Sequence, residues 1–463
     1  MCGVFGIRAP GRDVARLAYF GMYALQHRGQ ESAGIAVSDG RRVTALREMG
    51  LVSQVFDESK LKALVGEAAI GHTRYSTTGS ATWQNSQPIV RHRKGRTVAL
   101  GHNGNLTNTA ELRDELLAQG VQLDSTSDTE VICALIAEHR GTLREATIEA
   151  MSKIRGAFAA VMLSDDAVIG FRDPDGIRPL VLGDLDGFPV LASETPALDI
   201  IGATAVRELE PGELVILDAD GVHIEQAVPP RRGGEALCVF EHIYFARPDA
   251  RMSGESLHAA RERMGARLAH ESPVEADVVI PVPDSGTPAA IGYSRASGIP
   301  FGDGLIKNRY VGRTFIQPNQ ELREVGLRLK FNPLPHVLDG KRVVVVDDSI
   351  VRGTTTRKIV ELLRDAGARE VHLRVSSPPV VSPCFYGIDM ATSDQLIASG
   401  REIDEVCSMI GADSLAYLSL DGLQLAIGRP KAGFCRACLT GEYPVDPEGA
   451  AVDKRRFEVS GVR

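Results

Sequence analysis

The 463-residue chain contains no apolar run approaching the ~18 residues that a membrane-spanning helix requires. Its longest β-branched run, Val343-Val344-Val345-Val346, ends in two aspartates, Asp347 and Asp348. No signal peptide is legible, because Arg8 and Arg12 interrupt the first apolar stretch and no long hydrophobic region follows. These absences predict a cytoplasmic protein with no membrane partner. An excess of positive charge is also missing. The formal net charge is −8, which argues against a nucleic-acid partner but leaves room for a local basic pocket that takes an anionic substrate. There is no internal repeat and no low-complexity tract. Cysteines number seven, and in a reducing compartment they are not expected to form structural disulfides. Each must then be a nucleophile, a metal ligand or an inert core residue.

What is present is ordinary in bulk: 43% hydrophobic and 24% charged residues, as in a globular protein. The length suggests about three domains, or two large ones. The first half reads as short strands and turns with two helical patches, Leu17 to Leu25 and Thr129 to His139. Val131, Ile132, Leu135 and Ile136 share one face of the second. The Ser127-x-x-Glu130 spacing predicts a capping box at its start. Strands are expected at 69–72, 98–101 and 158–162. The cluster Pro229-Pro230-Arg231-Arg232-Gly233-Gly234 marks a domain boundary.

Beyond it the pattern changes. Val278 to Val282 and Val343 to Val346 read as buried strands. A helix from about Thr355 to Ala366 carries Ile359, Leu362, Leu363 and Ala366 at helical spacing, and Gly367 ends it. Val371 to Val375 begins the next strand. Strand, helix, strand predicts a parallel α/β sheet with ligands at the carboxyl ends of its strands.

Cys2 follows the initiator methionine directly. Aminopeptidases remove Met before a small side chain, which would leave a free amine of pKa about 7.7–8.0 beside a thiol of about 8.5. That amine can take the thiol proton, so one residue would supply nucleophile and base. Taken alone, Cys2 reads more readily as an ordinary thiol near a frayed end. Four separated segments change the balance: Met1 to Ile7, Leu25-Gln26-His27-Arg28-Gly29-Gln30-Glu31-Ser32-Ala33-Gly34, Gly71-His72-Thr73-Arg74-Tyr75-Ser76-Thr77 and Gly101-His102-Asn103-Gly104-Asn105-Leu106. Together they resemble the glutaminase domain of class II glutamine amidotransferases, of the N-terminal-nucleophile type. The resemblance implies an αββα sandwich in which Cys2 attacks the glutamine side-chain amide. It implies further that the Asn103 side chain and the Gly104 N–H form the oxyanion hole. Arg74 would hold the substrate carboxylate, and Asp128 its ammonium.

In the second half, Val343 to Thr355 delivers two carboxylates to a strand end and then turns through Gly353 into a helix that opens with threonines. Helix-start N–H groups and hydroxyls suit phosphate, and the acidic pair suits ribose hydroxyls or Mg²⁺. The segment is neither a Walker A loop nor GxGxxG. It resembles the signature of type I phosphoribosyltransferases, which bind 5-phosphoribosyl 1-diphosphate (PRPP). That resemblance assigns PRPP to Asp347, Asp348, Ser349, Arg352, Gly353, Thr354 and Thr355. It likens Pro283-Asp284-Ser285-Gly286 to the pyrophosphate loop, with Ser285, Asp347 and Asp348 near Mg²⁺. Lys307 to Phe315, including Lys307 and Arg309, resembles the loop that closes over PRPP and excludes water.

A glutaminase of this class joined to this transferase resembles one family throughout, the amidophosphoribosyltransferases. The family's fold implies residues 2–228 as the glutaminase domain, 229–453 as the transferase domain with a mainly parallel sheet, and 454–463 as a mobile tail. Its reaction takes PRPP, glutamine and water to 5-phosphoribosylamine, glutamate and diphosphate, the first committed step of de novo purine synthesis, with ammonia passed internally. Homotetramers inhibited by purine nucleotides are usual. Cys435-Arg436-Ala437-Cys438 is a CxxC, and with Cys238 and Cys384 it offers four thiolates for a [4Fe–4S] cluster or a structural zinc, between which spacing does not choose. One branch of the family carries a [4Fe–4S] cluster at these four positions. The resemblance therefore favours iron–sulfur, with zinc second, in a structural role tying the linker to the C-terminal end. Members with a cluster often begin with a propeptide, whereas here Met1 precedes Cys2. Cys133 and Cys407 read as core.

Two competing readings carry distinct marks. An amidotransferase delivering ammonia to a sugar phosphate or an acyl-adenylate would not need the Asp347–Thr355 turn. A PRPP- or purine-nucleotide-sensing regulator with an inactive transferase domain would be expected to bind DNA, against which the acidic balance argues.

Overall fold

A computed structural model of the chain describes residues 1–76, 78–93, 95–231, 234–308, 330–390, 392–428 and 433–447. Two antiparallel sheets stack face to face in its first half. One has seven strands, in the order Thr204–Glu208, Val181–Leu185, Phe188–Ala192, Gly3–Arg8, Ala68–Arg74, Ser32–Ser38, Val43–Met49. The other has six, in the order Gly221–Gln226, Glu213–Asp218, Val168–Arg172, Gly156–Leu163, Arg96–Leu106, Ile89–Arg93.

Period-two alternation sorts the side chains between layers. Val4 joins Ala99, Val161 and Leu163 between the sheets. Its neighbours Phe5 and Ile7 point the other way, onto helix Val14–Ala24. Leu100, Ala160 and Met162 leave the second sheet's far face for helices Asp128–Glu138 and Leu143–Lys153. The result is the expected αββα sandwich.

Several local expectations shift. The helical patches run Val14–Ala24 and Asp128–Glu138, and the three foreseen strands extend to Ala68–Arg74, Arg96–Leu106 and Gly156–Leu163. The capping box at Ser127 does not form. Ser127 accepts from Thr129 N, while the Glu130 carboxylate turns back to Asp124 N (3.0 Å) and Ser125 N (2.6 Å) and pairs with Arg91 at 2.9 Å. Helix Leu143–Lys153 escaped notice because its buried face is made of Ala146, Thr147, Ala150 and Met151, too little apolar surface for a clear period. A capping box is formed there instead, between Thr142 and Glu145.

The second half is built on a four-stranded parallel sheet, in the order Val278–Pro281, Arg342–Asp347, Glu370–Val375, Ser414–Tyr417. Both faces are covered, which explains the unbroken valine run. Val344 and Val346 pack on one side with Met264 and Leu268 of helix Leu257–Glu271. Val343 and Val345 pack on the other with Ile359 and Leu363 of helix Thr354–Asp365. Strand Leu237–Cys238, just past the proline-glycine cluster, pairs in parallel with Phe434–Cys435. Arg232 and Gly233 of that cluster, and the tail from residue 448 onward, lie outside the described residues.

Candidate active sites

The register Gly3↔Thr73 sets Cys2 beside the end of strand Ala68–Arg74. Its thiol is buried and lies 3.4 Å from both the carbonyl oxygen and the nitrogen of Tyr75. Burial pushes the thiol above its ordinary value, opposed by the positive chain terminus, the Tyr75 peptide and Arg74. A thiol held protonated needs a base to become a nucleophile. The Cys2 nitrogen donates to Asn103 Oδ1 at 3.0 Å; with Met1 attached it is a peptide N–H.

Asn103 Nδ2, the other half of that amide, is buried and makes no hydrogen bond among the described residues. An orphaned buried donor is costly, and a free amide donor is the kind of group a developing oxyanion needs. Gly104 follows with φ +149°, and a Cβ there would run into the carbonyl of Ala157, so only glycine fits.

Arg74 is clamped by the chain it precedes. Its Nη1 donates to Ser80 O at 3.0 Å, and Nη2 to Thr78 O and Gly79 O at 3.2 Å each. Burial holds the guanidinium below its ordinary range, with Glu31 acting in the opposite direction. Glu31 Oε2 lies 3.4 Å from Arg74 Nη1, and the same carboxylate accepts from Ser76 N and Ser76 Oγ. Asp128 begins its helix and accepts from Leu106 N at 3.1 Å, so it hangs from the strand that carries Asn103 and Gly104. Sequence reasoning quoted Glu31 and Tyr75 within matched segments but gave them no role. Their work is to fix Arg74 and cradle the thiol.

The second constellation lies at the carboxyl ends of adjacent strands Val278–Pro281 and Arg342–Asp347, where loop ligands are expected. Asp347 and Asp348 are both buried. Burial, then the charge of Asp348, raises Asp347 well above the carboxylate range; burial raises Asp348, opposed by hydrogen bonds from Ser285 and Ser349 and by Arg261. Ser349 Oγ donates to Asp348 at 2.5 Å. Two carboxylates in such surroundings fit a hard divalent cation that would relieve both burial and repulsion. Gly353, at φ +73°, carries the chain into helix Thr354–Asp365, whose first residues Thr354 and Thr355 are exposed. Arg352, beside the glycine, is exposed as well. Lys307 Nζ lies 2.5 Å from Asp284 of the neighbouring loop. Arg309 and the rest of the expected closing loop, through Phe315, lie outside the described residues.

The ladder pair Cys238↔Cys435 places two of the four expected ligand thiols side by side. Cys438 joins them in one apolar core, with Cys384 packed against it. Burial pushes Cys238 up to about 11 and raises Cys435 and Cys438 further; Cys384 acts in the same direction on each. Burial holds such thiols neutral unless a cationic group pairs with them. Among the described residues no group of three or more His, Cys, Asp or Glu is arranged to hold a single metal ion. Cys133 is core, with its thiol pushed up to about 12 by burial. Cys407, expected to be core, is only partly buried, at the rim of helix Ile403–Ile410.

The family described as "Glutamine amidotransferase domain" matches residues 72–199, and that described as "Phosphoribosyl transferase domain" matches residues 254–377. The chain is 53% identical to the amidophosphoribosyltransferase of Mycobacterium tuberculosis, over 99% of this chain and 89% of that protein. Two solved structures superpose on it. One, described as the structure of the allosteric regulatory enzyme of purine biosynthesis, has a TM-score of 0.91 at 48% identity and covers 96% of each chain. The other is glutamine phosphoribosylpyrophosphate (PRPP) amidotransferase from B. subtilis complexed with ADP and GMP. Its TM-score is 0.90 at 47% identity, over 96% of this chain and 98% of that one.

Proposed function

The chain belongs to the amidophosphoribosyltransferase family, and from that premise we propose how its reaction divides between the two sites. The overall reaction is transfer of the glutamine amide nitrogen to PRPP, giving 5-phosphoribosylamine, glutamate and diphosphate, the first committed step of purine biosynthesis.

In the glutaminase half, residues 2–228, Cys2 Sγ attacks the amide carbon while the α-amine exposed by loss of Met1 takes the thiol proton. Asn103 Nδ2 and Gly104 N–H receive the oxyanion. Arg74 pairs with the substrate carboxylate and Asp128 with its ammonium. Collapse expels ammonia and leaves a thioester, which water hydrolyses to glutamate and free Cys2. The observation that carries this reading is the buried, unpartnered Asn103 Nδ2 beside a thiol whose neighbouring nitrogen holds Asn103 Oδ1.

In the transferase half, residues 229–453, the N–H groups and hydroxyls from Ser349 to Thr355, with Arg352, hold the 5-phosphate and ribose. Lys307 and Arg309 meet the diphosphate. Ammonia attacks the anomeric carbon and diphosphate leaves. Ser285, Asp347 and Asp348 would hold Mg²⁺, which supplies neutralising charge for the leaving diphosphate. Cys238, Cys384, Cys435 and Cys438 would hold a [4Fe–4S] cluster in a structural role. A structural zinc is second, as the family likeness ranks it.

Purine nucleotides as inhibitors are supported by the ADP and GMP in the B. subtilis relative. A homotetramer follows from the family likeness. Cytoplasmic residence accords with the absence, among described residues, of any helix long and apolar enough to cross a membrane. The test is Cys2→Ala: glutamine-dependent synthesis should vanish while synthesis from high free ammonium persists. Equal loss of both would refute the division.

A further inference from the structure

Arg178 is fully buried between the two chemistries yet belongs to neither. It ends a loop whose shape is set by one carboxylate. Asp173 accepts from Asp175 N at 3.1 Å, Ile177 N at 2.9 Å and Arg178 N at 3.3 Å, and also from Phe158 N at 3.1 Å. Phe158 is the ladder partner of Gly104. The loop is thus fastened to the strand beside the oxyanion residues.

Its other side faces the four thiols. Ile177 O accepts from Cys238 N at 3.1 Å. Arg178 Nε donates to Tyr386 O at 3.0 Å, Nη2 donates to the same oxygen, and Tyr386 N lies 3.4 Å from Cys384 Sγ. The segment so gripped rests on the oxyanion strand: Asn105 Nδ2 donates to Phe385 O at 2.9 Å, and a Cβ added to Gly387 would stand 3.0 Å from the Gly104 carbonyl. Arg178 Nη1 meets the Sδ of Met1, the residue joined to Cys2, and lies 3.7 Å from Glu241 Oε1.

We propose that Arg178 is a positioning residue that couples the state of the four-thiol site to the glutaminase site, by holding segment 384–387 against Asn103–Asn105. The coupling rests on the reading that the thiols carry an iron–sulfur group. A group bound at Cys384 would fix the Tyr386 peptide that Arg178 grips, so ligation and grip are two parts of one link from Cys384 to the oxyanion strand. Arg178 touches no reacting atom, so its effect runs through the geometry of the oxyanion strand.

The test uses full-length protein purified anaerobically, as wild type, Arg178→Lys and Arg178→Met. Each is measured for iron per chain, for the rate of Cys2 alkylation by a chloroketone analogue of glutamine, and for ammonia-dependent turnover, before and after chelation of iron. Misplacing the oxyanion strand should slow alkylation by about tenfold or more in either variant. Ammonia-dependent turnover should stay within about twofold, because the transferase site is remote from the change. Removing iron should slow alkylation in the wild type by a similar factor and add little in Arg178→Met, since both perturbations break the same link. If iron removal slows wild type and Arg178→Met by equal factors, the coupling is overturned. So it is if alkylation is unchanged in Arg178→Lys, which also serves should Arg178→Met not fold. A wild type without bound iron would sink the cluster reading and the coupling with it. The alkylation rate of Arg178→Lys would then decide the positioning role by itself.

Discussion

Replacing Asn103 by alanine removes the two jobs of one amide together. Its Oδ1 holds the Cys2 nitrogen, and its Nδ2 is unpartnered in the resting site. The Oδ1 bond orients the α-amine that takes the thiol proton, so its loss lowers kcat in the same direction as loss of the donor. It should also appear as lost stability of about 1 kcal/mol. The Nδ2 donor is used only as charge develops on the substrate oxygen, and removing one such donor costs about 2.7–4 kcal/mol. At about 1.4 kcal/mol per decade this is a fall of roughly 100- to 1000-fold in glutamine-dependent kcat. KM for glutamine should change little, because Arg74 and Asp128 are untouched. Ammonia-dependent synthesis should be preserved. Steady-state kinetics with each nitrogen donor would read all three values. A raised KM with unchanged kcat would show that Asn103 serves ground-state binding and would refute the reasoning.

Gly353→Ala should damage the other half alone. Its φ of +73° and the approach of Ile397 to any added Cβ together predict a penalty of about 2–4 kcal/mol, from left-handed strain plus overpacking. The expected readout is a PRPP KM raised about tenfold or more with the rate of Cys2 alkylation unchanged; an unaltered PRPP KM would remove the turn from the binding site. Acid should act through His72, which burial holds neutral with a pKa lowered to about 3, its Nε2 lying 3.0 Å from His102 O. Because the folded value lies below the ordinary one, the unfolded chain binds the extra proton. Stability present above pH ~6.5 is then lost as pH falls toward the folded value, by up to about 1.4 kcal/mol per unit. Urea midpoints of the wild type between pH 8 and 4 should fall more steeply than those of His72→Gln; parallel curves would contradict the assignment.

The parts of the molecule legible in its sequence are those where one short segment contains both the structure and the chemistry. The valine run, its terminal aspartates and the glycine before the threonines describe a strand, a turn and a helix start in thirteen consecutive residues, 343–355. The four segments around Cys2, Arg74 and Asn103 carry the family resemblance, and the fold brings them together. What escaped depends on partners distant in the chain. Glu31 acquires meaning only when Ser76 and Arg74 fold onto it. Glu130 had the spacing of a cap but found better donors in the preceding turn. Arg178 sits in a loop without a sequence motif, and its importance comes from Tyr386, 208 positions away. Cys407 read as core, yet helix Ile403–Ile410 turns Val406 and Ile410 inward and leaves it partly buried at the rim. Packing, not composition, made these assignments.

The central claim is that one molecule releases ammonia at Cys2 and spends it at the PRPP site without surrendering it to solvent. The direct measurement is synthesis from PRPP and glutamine labelled with heavy nitrogen in its amide, run in excess unlabelled ammonium at a pH where free ammonia is scarce. The account predicts phosphoribosylamine carrying the heavy nitrogen almost undiluted. Product nitrogen diluted to the ratio of the bulk ammonium would contradict it.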